Sequence, residues 1–383
     1  MNIQKNKKLG LGAMMLLVLV LLVTACGAPK TESGAQGTSS TGSNTTDAKT
    51  DSLNLKGKRV ALIMEFNTGT FSQQYVQGVE EEVKKFGGTL TKFVADNDKA
   101  KMASLLDSAI NQQFDVILTD HGDALLETGL KKAISRNIPV IVFDAAVNVP
   151  GAVVLSQDDQ SMAELTLEQM KKDIGGKGNI VKVWVAGFAP MERRQVAYDK
   201  FSKANPDIKE IATFGSAQNP ALDTQSKMEA VLKQYPKGEI TAVWAAWDEF
   251  AKGAARAIQQ AGRTEIKVYG IDMSDEDLQM IQDPKNPWVA SAAVDPTDIG
   301  RVQVRYAYQK LHGDNPEEQV VLKAVYVQRE ALPDKQISTS ELSQYVKGWG
   351  KSEQGYKDWM KEYETAQINF RIKHKARFGA LLS

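Results

Sequence analysis

Short runs of apolar and β-branched residues alternate with longer amphipathic stretches along most of this chain. That alternation is the pattern of parallel βαβ units, in which each buried strand is followed by a helix that covers it. Residues 59–64 read as the first buried strand, 72–86 as a helix with apolar residues at helical spacing, and 90–94 as the next strand. The series continues with a helix over 103–112, a strand over 116–118, a helix over 124–135 and a strand over 140–144 that ends in a carboxylate. Gly and Pro mark the boundaries, as in Asn137-Ile138-Pro139. After the Pro150-Gly151 turn a second series begins, with strands over 153–155, 179–185, 208–213, 242–244, 267–271 and 288–292. Helices over 162–172, 194–202, 225–233, 249–260 and 276–282 lie between them. Two doubly wound parallel sheets follow from this pattern, and the size of the remainder, roughly 330 residues, agrees with two lobes.

The N-terminus departs from the pattern. Lys5, Lys7 and Lys8 precede an apolar run over 9–23, the arrangement of a signal peptide over 1–25. The run ends in Leu22-Val23-Thr24-Ala25-Cys26-Gly27, which resembles the bacterial lipobox. Cys26 is the single cysteine of the 383 residues, so no intrachain disulfide can form. The lipobox resemblance makes Cys26 the expected lipidation site, with two or three acyl chains tethering the protein to the outer face of the cell membrane. Residues 26–55 are rich in Ser, Thr, Gly and Ala with almost no large apolar side chain, which predicts a flexible stalk.

Charge adds one exclusion. The 47 basic residues fall to 44 without the three signal-peptide lysines, against 47 acidic residues. A slightly acidic mature chain speaks against a nucleic-acid partner.

In doubly wound sheets ligands bind beyond the carboxyl ends of the strands. The residues at those ends are Glu65, Phe66 and Asn67 after the first strand, Asp144 after the fourth, then Trp247 with Asp248, and Asp272. Each aspartate has an ordinary alternative role as a helix cap or turn residue, Asp248 above all because Asp-Glu commonly opens a helix. Trp184 and Trp244 fall inside predicted strands and read as core. His121, before Gly122, reads as a loop residue, and the three histidines lack metal-ligand spacing, so neither a metal nor a cofactor is expected.

Four segments carry a specific resemblance. Asn137-Ile138-Pro139-Val140-Ile141-Val142-Phe143-Asp144, Trp247-Asp248-Glu249-Phe250-Ala251-Lys252-Gly253-Ala254, Tyr269-Gly270-Ile271-Asp272 and Val294-Asp295-Pro296-Thr297-Asp298-Ile299-Gly300 resemble the ribose-binding type of periplasmic binding protein, in that family's order. The resemblance spans about residues 57–335 and implies an α/β fold of two doubly wound lobes joined by a three-strand hinge, a type 1 periplasmic binding protein. It implies a protein that closes on a sugar or polyol and presents it to ABC permease subunits; a monomer is expected. On that pattern the N-terminal lobe takes 57–158 and 295–322, and the C-terminal lobe 159–294 and 323–335. Residues 336–383 form a helical extension, with Tyr345, Trp349, Tyr356, Trp359 and Met360 packing across a lobe and a basic end over 371–377.

The same resemblance assigns Asp144 and Asp272 as hydroxyl acceptors, Phe71 as a stacking face, and Arg194, with Arg193 close behind, as a donor. Such a mixture suits a sugar, whose hydroxyls need fixed partners and whose C–H face needs a flat apolar surface. The departures fall where ribose binders hold hydroxyls: Ala145 in place of an arginine, Trp247 in place of an asparagine, Val294 in place of a glutamine. A ligand other than ribose is therefore expected.

An enzyme is not expected, because the chain has no G-x-S-x-G elbow, P-loop, clean dinucleotide fingerprint or metal-spaced cluster. A related repressor would need a DNA-binding module where this chain has a signal peptide. The remaining alternatives keep the fold and change the role: a surface sensor that signals to a membrane kinase or chemoreceptor, or a receptor for a non-carbohydrate signal such as an autoinducer.

Overall fold

The computed structural model of this protein describes residues 55–363 apart from 351 and 362. The expected signal peptide, Cys26, nearly all of the expected stalk and the basic end over 371–377 lie outside the described residues.

The first sheet has the order β11-β5-β4-β3-β1-β2 and is parallel throughout. Its strands are β1 (Arg59–Met64), β2 (Thr89–Val94), β3 (Val116–Asp120), β4 (Val140–Phe143), β5 (Val153–Gln157) and β11 (Gln319–Leu322). The central strands β1, β3 and β4 are almost wholly buried, as their unbroken apolar runs require when helices cover both faces. On one face lie α1 (Gly69–Lys85) and α9 (Pro296–His312), on the other α2 (Lys99–Asn111) and α3 (Glu127–Ser135). Helices α1 and α9 touch backbone to backbone: a Cβ on Gly78 would run into the carbonyl oxygen of Thr297, so glycine is required there.

The second sheet has the order β12-β10-β9-β8-β6-β7. It contains β6 (Gly178–Val183), β7 (Ile208–Phe214), β8 (Ala242–Ala245), β9 (Lys267–Ile271), β10 (Trp288–Ala293) and β12 (Val325–Gln328), the last antiparallel to β10. Helices α4 (Asp159–Asp173) and α5 (Ala189–Ala204) cover one face, and α6 (Pro220–Gln234), α7 (Asp248–Gln260) and α8 (Asp275–Gln282) the other. The chain passes between the sheets after Gln157, after Ala293 and after Leu322, so three connections join the lobes.

Two elements differ from the sequence pattern. The ladder of β6 ends at Val183, so Trp184 sits just outside the strand, half-buried, with its indole N–H donating to the carbonyl of Met191 at 2.9 Å. Helix α9 and strands β11 and β12, absent from the predicted series, complete the two sheets and their packing.

The described part of the C-terminal segment carries short helical stretches, at Leu342–Gln344 and over 358–361, joined by turns. It reaches both lobes. Trp349 is buried in the second lobe's core and donates to Thr339 O at 2.8 Å, whereas Met360, Tyr356 and Trp359 join the first lobe's core.

Candidate functional site

Strand order reverses in each sheet where the chain leaves the first strand: between β2 and β3 around β1, and between β7 and β8 around β6. At such reversals the loops leaving adjacent strands diverge and open a crevice. The two crevices face each other and enclose a cavity with about 640 Å³ of unfilled space, its open mouth included. Its lining comes from the ends of both sheets: Phe66 after β1, Asp120 and His121 at the end of β3, Asp144 after β4, Gln157 at the end of β5, Val185 and Phe188 after β6, Trp247 after β8 and Asp272 after β9. Phe71, Ser72 and Tyr75 of α1 and Met191 and Arg194 of α5 complete most of the wall.

Three of these strand-end residues have left-handed backbones: His121 at φ 62°, Asp144 at φ 50° and Asp272 at φ 74°. For residues other than glycine this conformation is uncommon and concentrates at functional sites, where surrounding structure holds it.

The polar wall is one connected set of hydrogen bonds. Arg194, 1 % exposed, donates from Nε to Asp159 at 2.8 Å, from Nη1 and Nη2 to the two oxygens of Asp272 at 3.0 and 3.1 Å, and from Nη1 to Ala246 O at 2.6 Å. Arg193 bridges Asp159 and Asp144, both at 2.6 Å. Gln157 donates from Nε2 to Asp144 at 3.2 Å, and its own Oε1 is buried with no partner among the described residues. Burial pushes the Asp272 carboxyl up to about 7 and that of Asp159 up to about 6, with Arg194 pulling both back. The bidentate geometry favours the ionised Asp272.

The aromatic wall is equally continuous. The Phe66 ring lies 4.6 Å from His121, 6.0 Å from Phe188 and 5.9 Å from Trp247, centroid to centroid. His121 Nδ1 is 2.7 Å from Asp120 Oδ1. Burial would lower the His121 pKa, but Asp120, with help from Asp144 and Glu65, raises it to about 9.

Contacts across the mouth hold the lobes together. Arg193 reaches Asp144, the Asp275 N–H donates to Gln74 Oε1 at 2.9 Å, and Lys99 Nζ donates to Gly187 O at 3.3 Å. A Cβ on Gly69 would strike the carboxylate of Glu249. The lobes are therefore closed on each other.

Of the residues singled out in the sequence, Phe66, Phe71, Asp144, Arg194, Trp247 and Asp272 line the cavity together. Arg193 stands behind Asp144 and anchors it. Glu65 lies one layer back, accepting from the Gly122 N–H at 2.9 Å. Burial raises its pKa, while His121 and Lys99 pull it down. Asn67 is exposed on the mouth loop and does not reach the lining. Asp248 is also outside it: as the first residue of α7 its carboxylate is buried against Lys252, Oδ2 to Nζ 3.2 Å. The sequence reading missed Gln157, Phe188, Tyr75 and Asp120 altogether, and took His121 for a structural loop residue.

This two-lobed architecture with its enclosed interlobe cavity coincides with a family match: the periplasmic binding protein domain, over residues 60–315. This chain belongs to that family. A structure of the 5-methylthioribose transporter solute-binding protein of Thermotoga lettingae, in complex with 5-methylthioribose, is 35% identical, covers 80% of this chain and 98% of that one, and superposes with a TM-score of 0.77. The ribose import binding protein of Bacillus subtilis is 26% identical over 267 residues, 69% of this chain and 85% of that protein. The xylitol-binding protein of Mycolicibacterium smegmatis is 28% identical over 229 residues, 59% of this chain and 64% of that relative, just under two thirds of its length. The relatives of this periplasmic binding protein thus include a ribose import binding protein and the solute-binding protein of a 5-methylthioribose transporter.

Proposed function

We propose that this binding protein captures a small sugar or polyol between its lobes and delivers it to the permease of an ABC importer. The observation that carries the reading is the polar wall of the cavity. The orphan Gln157 Oε1, 4 % exposed as a residue, lies beside Asp144 in a wall that Asp272 and Arg194 share. A buried acceptor without a partner costs about 1–3 kcal/mol, and a ligand hydroxyl donating to it removes that cost. Closure then follows from affinity: a ligand that bonds to both lobes at once binds the closed state better and shifts the population toward it. Asp144 belongs to the first lobe and Arg194 and Asp272 to the second, so one small polyhydroxylated molecule can bond to both. Attachment through a lipidated Cys26 is part of the proposal; its support is the lipobox-like sequence, and its test is metabolic labelling with a radioactive fatty acid.

Ribose, xylitol and 5-methylthioribose, bound by relatives according to their names, are the first ligands to try. At 100 times its dissociation constant a ligand stabilises the folded chain by roughly 2.7 kcal/mol, a clear rise in thermal midpoint. We expect at least one sugar or polyol in a monosaccharide and polyol panel to produce that rise, and Asp144→Ala or Asp272→Ala to abolish it. A rise only with non-carbohydrates would overturn the substrate class.

A further inference from the structure

The cavity has a polar end and an aromatic end, which meet at His121, bonded to Asp120 and packed on Phe143. The polar groups form one bonded network that runs from Gln157 and Asp144 through Arg193 and Asp159 to Arg194 and Asp272. The aromatic groups form another: Phe66 touches His121, Phe188 and Trp247, drawn from both lobes. The polar end is the deeper one, since Asp144, Gln157, Arg194 and Asp272 are all 4 % exposed or less. The aromatic end adjoins the rim, where half-buried Phe188 lies 5.6 Å beneath Lys99 Nζ and the same amine bonds to Gly187 O.

The acceptors for hydroxyl protons in the lining are the carboxylates of Asp120, Asp144 and Asp272, the Gln157 amide and the hydroxyls of Thr68, Ser72 and Tyr75, none of them on the Phe66, Phe188 or Trp247 rings. Asp144 is already engaged by Arg193 and Gln157, Asp272 by Arg194 and Asp120 by His121, which leaves Gln157 Oε1, the lining hydroxyls and the spare carboxylate lone pairs. Phe66 and Phe188 offer no acceptor, and the Trp247 indole offers only a donor. A ligand hydroxylated along its whole length would lay hydroxyls against these rings, where closure removes them from water without replacing their partners.

Resting on the sugar reading above, we infer that the ligand is a small sugar whose hydroxyls are confined to one end and whose other end carries an apolar group, seated among Phe66, Phe188 and Trp247. The hydroxylated end goes to Asp144, Gln157 and Asp272. The apolar end completes the aromatic cluster as the lobes close, which makes the substituent part of the closing contact and not a passive tail.

The test is calorimetric titration of the full chain with a matched series, ribose, 5-deoxyribose and 5-methylthioribose, together with xylitol and galactose as fully hydroxylated comparators. The expected order of affinity is 5-methylthioribose over 5-deoxyribose over ribose, with at least a tenfold span from first to last. Phe188→Ala is expected to shrink that span at least threefold. Ribose, xylitol or galactose binding as tightly as the substituted sugars overturns the inference while leaving the sugar reading intact. So does a span that Phe188→Ala leaves unchanged, since the apolar group would then sit elsewhere. If none of the five binds at millimolar concentration, the inference falls together with the reading on which it rests.

Discussion

Replacing Arg194 with methionine is expected to destabilise the folded chain by about 3–5 kcal/mol near pH 8, the cost of leaving a buried carboxylate without its counter-ion. Arg194 makes four hydrogen bonds and is 1 % exposed. Asp159 would keep Arg193, but Asp272 would lose its only charged partner among the described residues while staying buried. The pH dependence identifies the cause. Burial already pushes Asp272 up to about 7, and removing Arg194 pushes it further. A carboxyl whose folded pKa is raised favours the fold most when protonated and loses that contribution as pH rises through the folded value. The deficit of Arg194→Met should therefore be larger at pH 8 than at pH 5. Arg194→Lys should recover only part of it, because an ammonium cannot reproduce the two-point contact with Asp272. Urea unfolding at the two pH values checks this; a deficit under about 1 kcal/mol at pH 8 would contradict the role assigned to the arginine.

The second large effect concerns His121, whose pKa lies at about 9 in the fold against an ordinary value near 6.5. The sign follows from the direction. A histidine held protonated by the fold contributes its full stabilisation below pH 6.5 and loses it as pH rises through 9. The 2.7 Å contact with Asp120 is the main favourable source, opposed by burial and helped by Asp144 and Glu65. With 17% of the side chain exposed, the contribution is at most about 3 kcal/mol. Unfolding free energy should therefore fall between pH 6.5 and 9.5, and His121→Gln should remove most of the fall. Equal falls in both proteins would show that other groups titrate in that window.

The chain's own pattern reveals the fold to the extent that burial leaves a periodic trace. Buried parallel strands are unbroken apolar runs, so β1, β3, β4 and β9 are visible in it, and the helices between them show 3.6-residue spacing. Helix α9 carried signals that were available: Asp295 as N-cap, Pro296 in the first turn and Gly313 as a left-handed C-cap. The short segments β11 and β12 carry almost none, because each is four residues long and is recognisable only from the strand it pairs with.

Within the site, legibility follows the same physics. Asp144 and Asp272 stand out because they close apolar runs and fall in segments that carry the family resemblance, whereas Asp120, at the end of β3, lies in no such segment and went unmarked. Gln157 is the last residue of a strand, where alternation alone explains a polar side chain, and only the three-dimensional orphaning of its carbonyl marks it out. Phe188 precedes an ordinary helix start with a proline and reads as a loop hydrophobe. Trp247 and Asp248 are adjacent in the sequence and share one motif. The first is extended and enters the cavity, whereas the second begins the helix and turns to Lys252, a divergence fixed by the backbone and not by residue type.

The most direct test of the central claim is a crystal structure of the protein grown with the tightest-binding sugar of the panel. The account predicts the sugar between the lobes, with a hydroxyl within about 3.2 Å of Gln157 Oε1 and others on Asp144 and Asp272. A sugar bound elsewhere, with Gln157 Oε1 still unpartnered in a closed cleft, would contradict it.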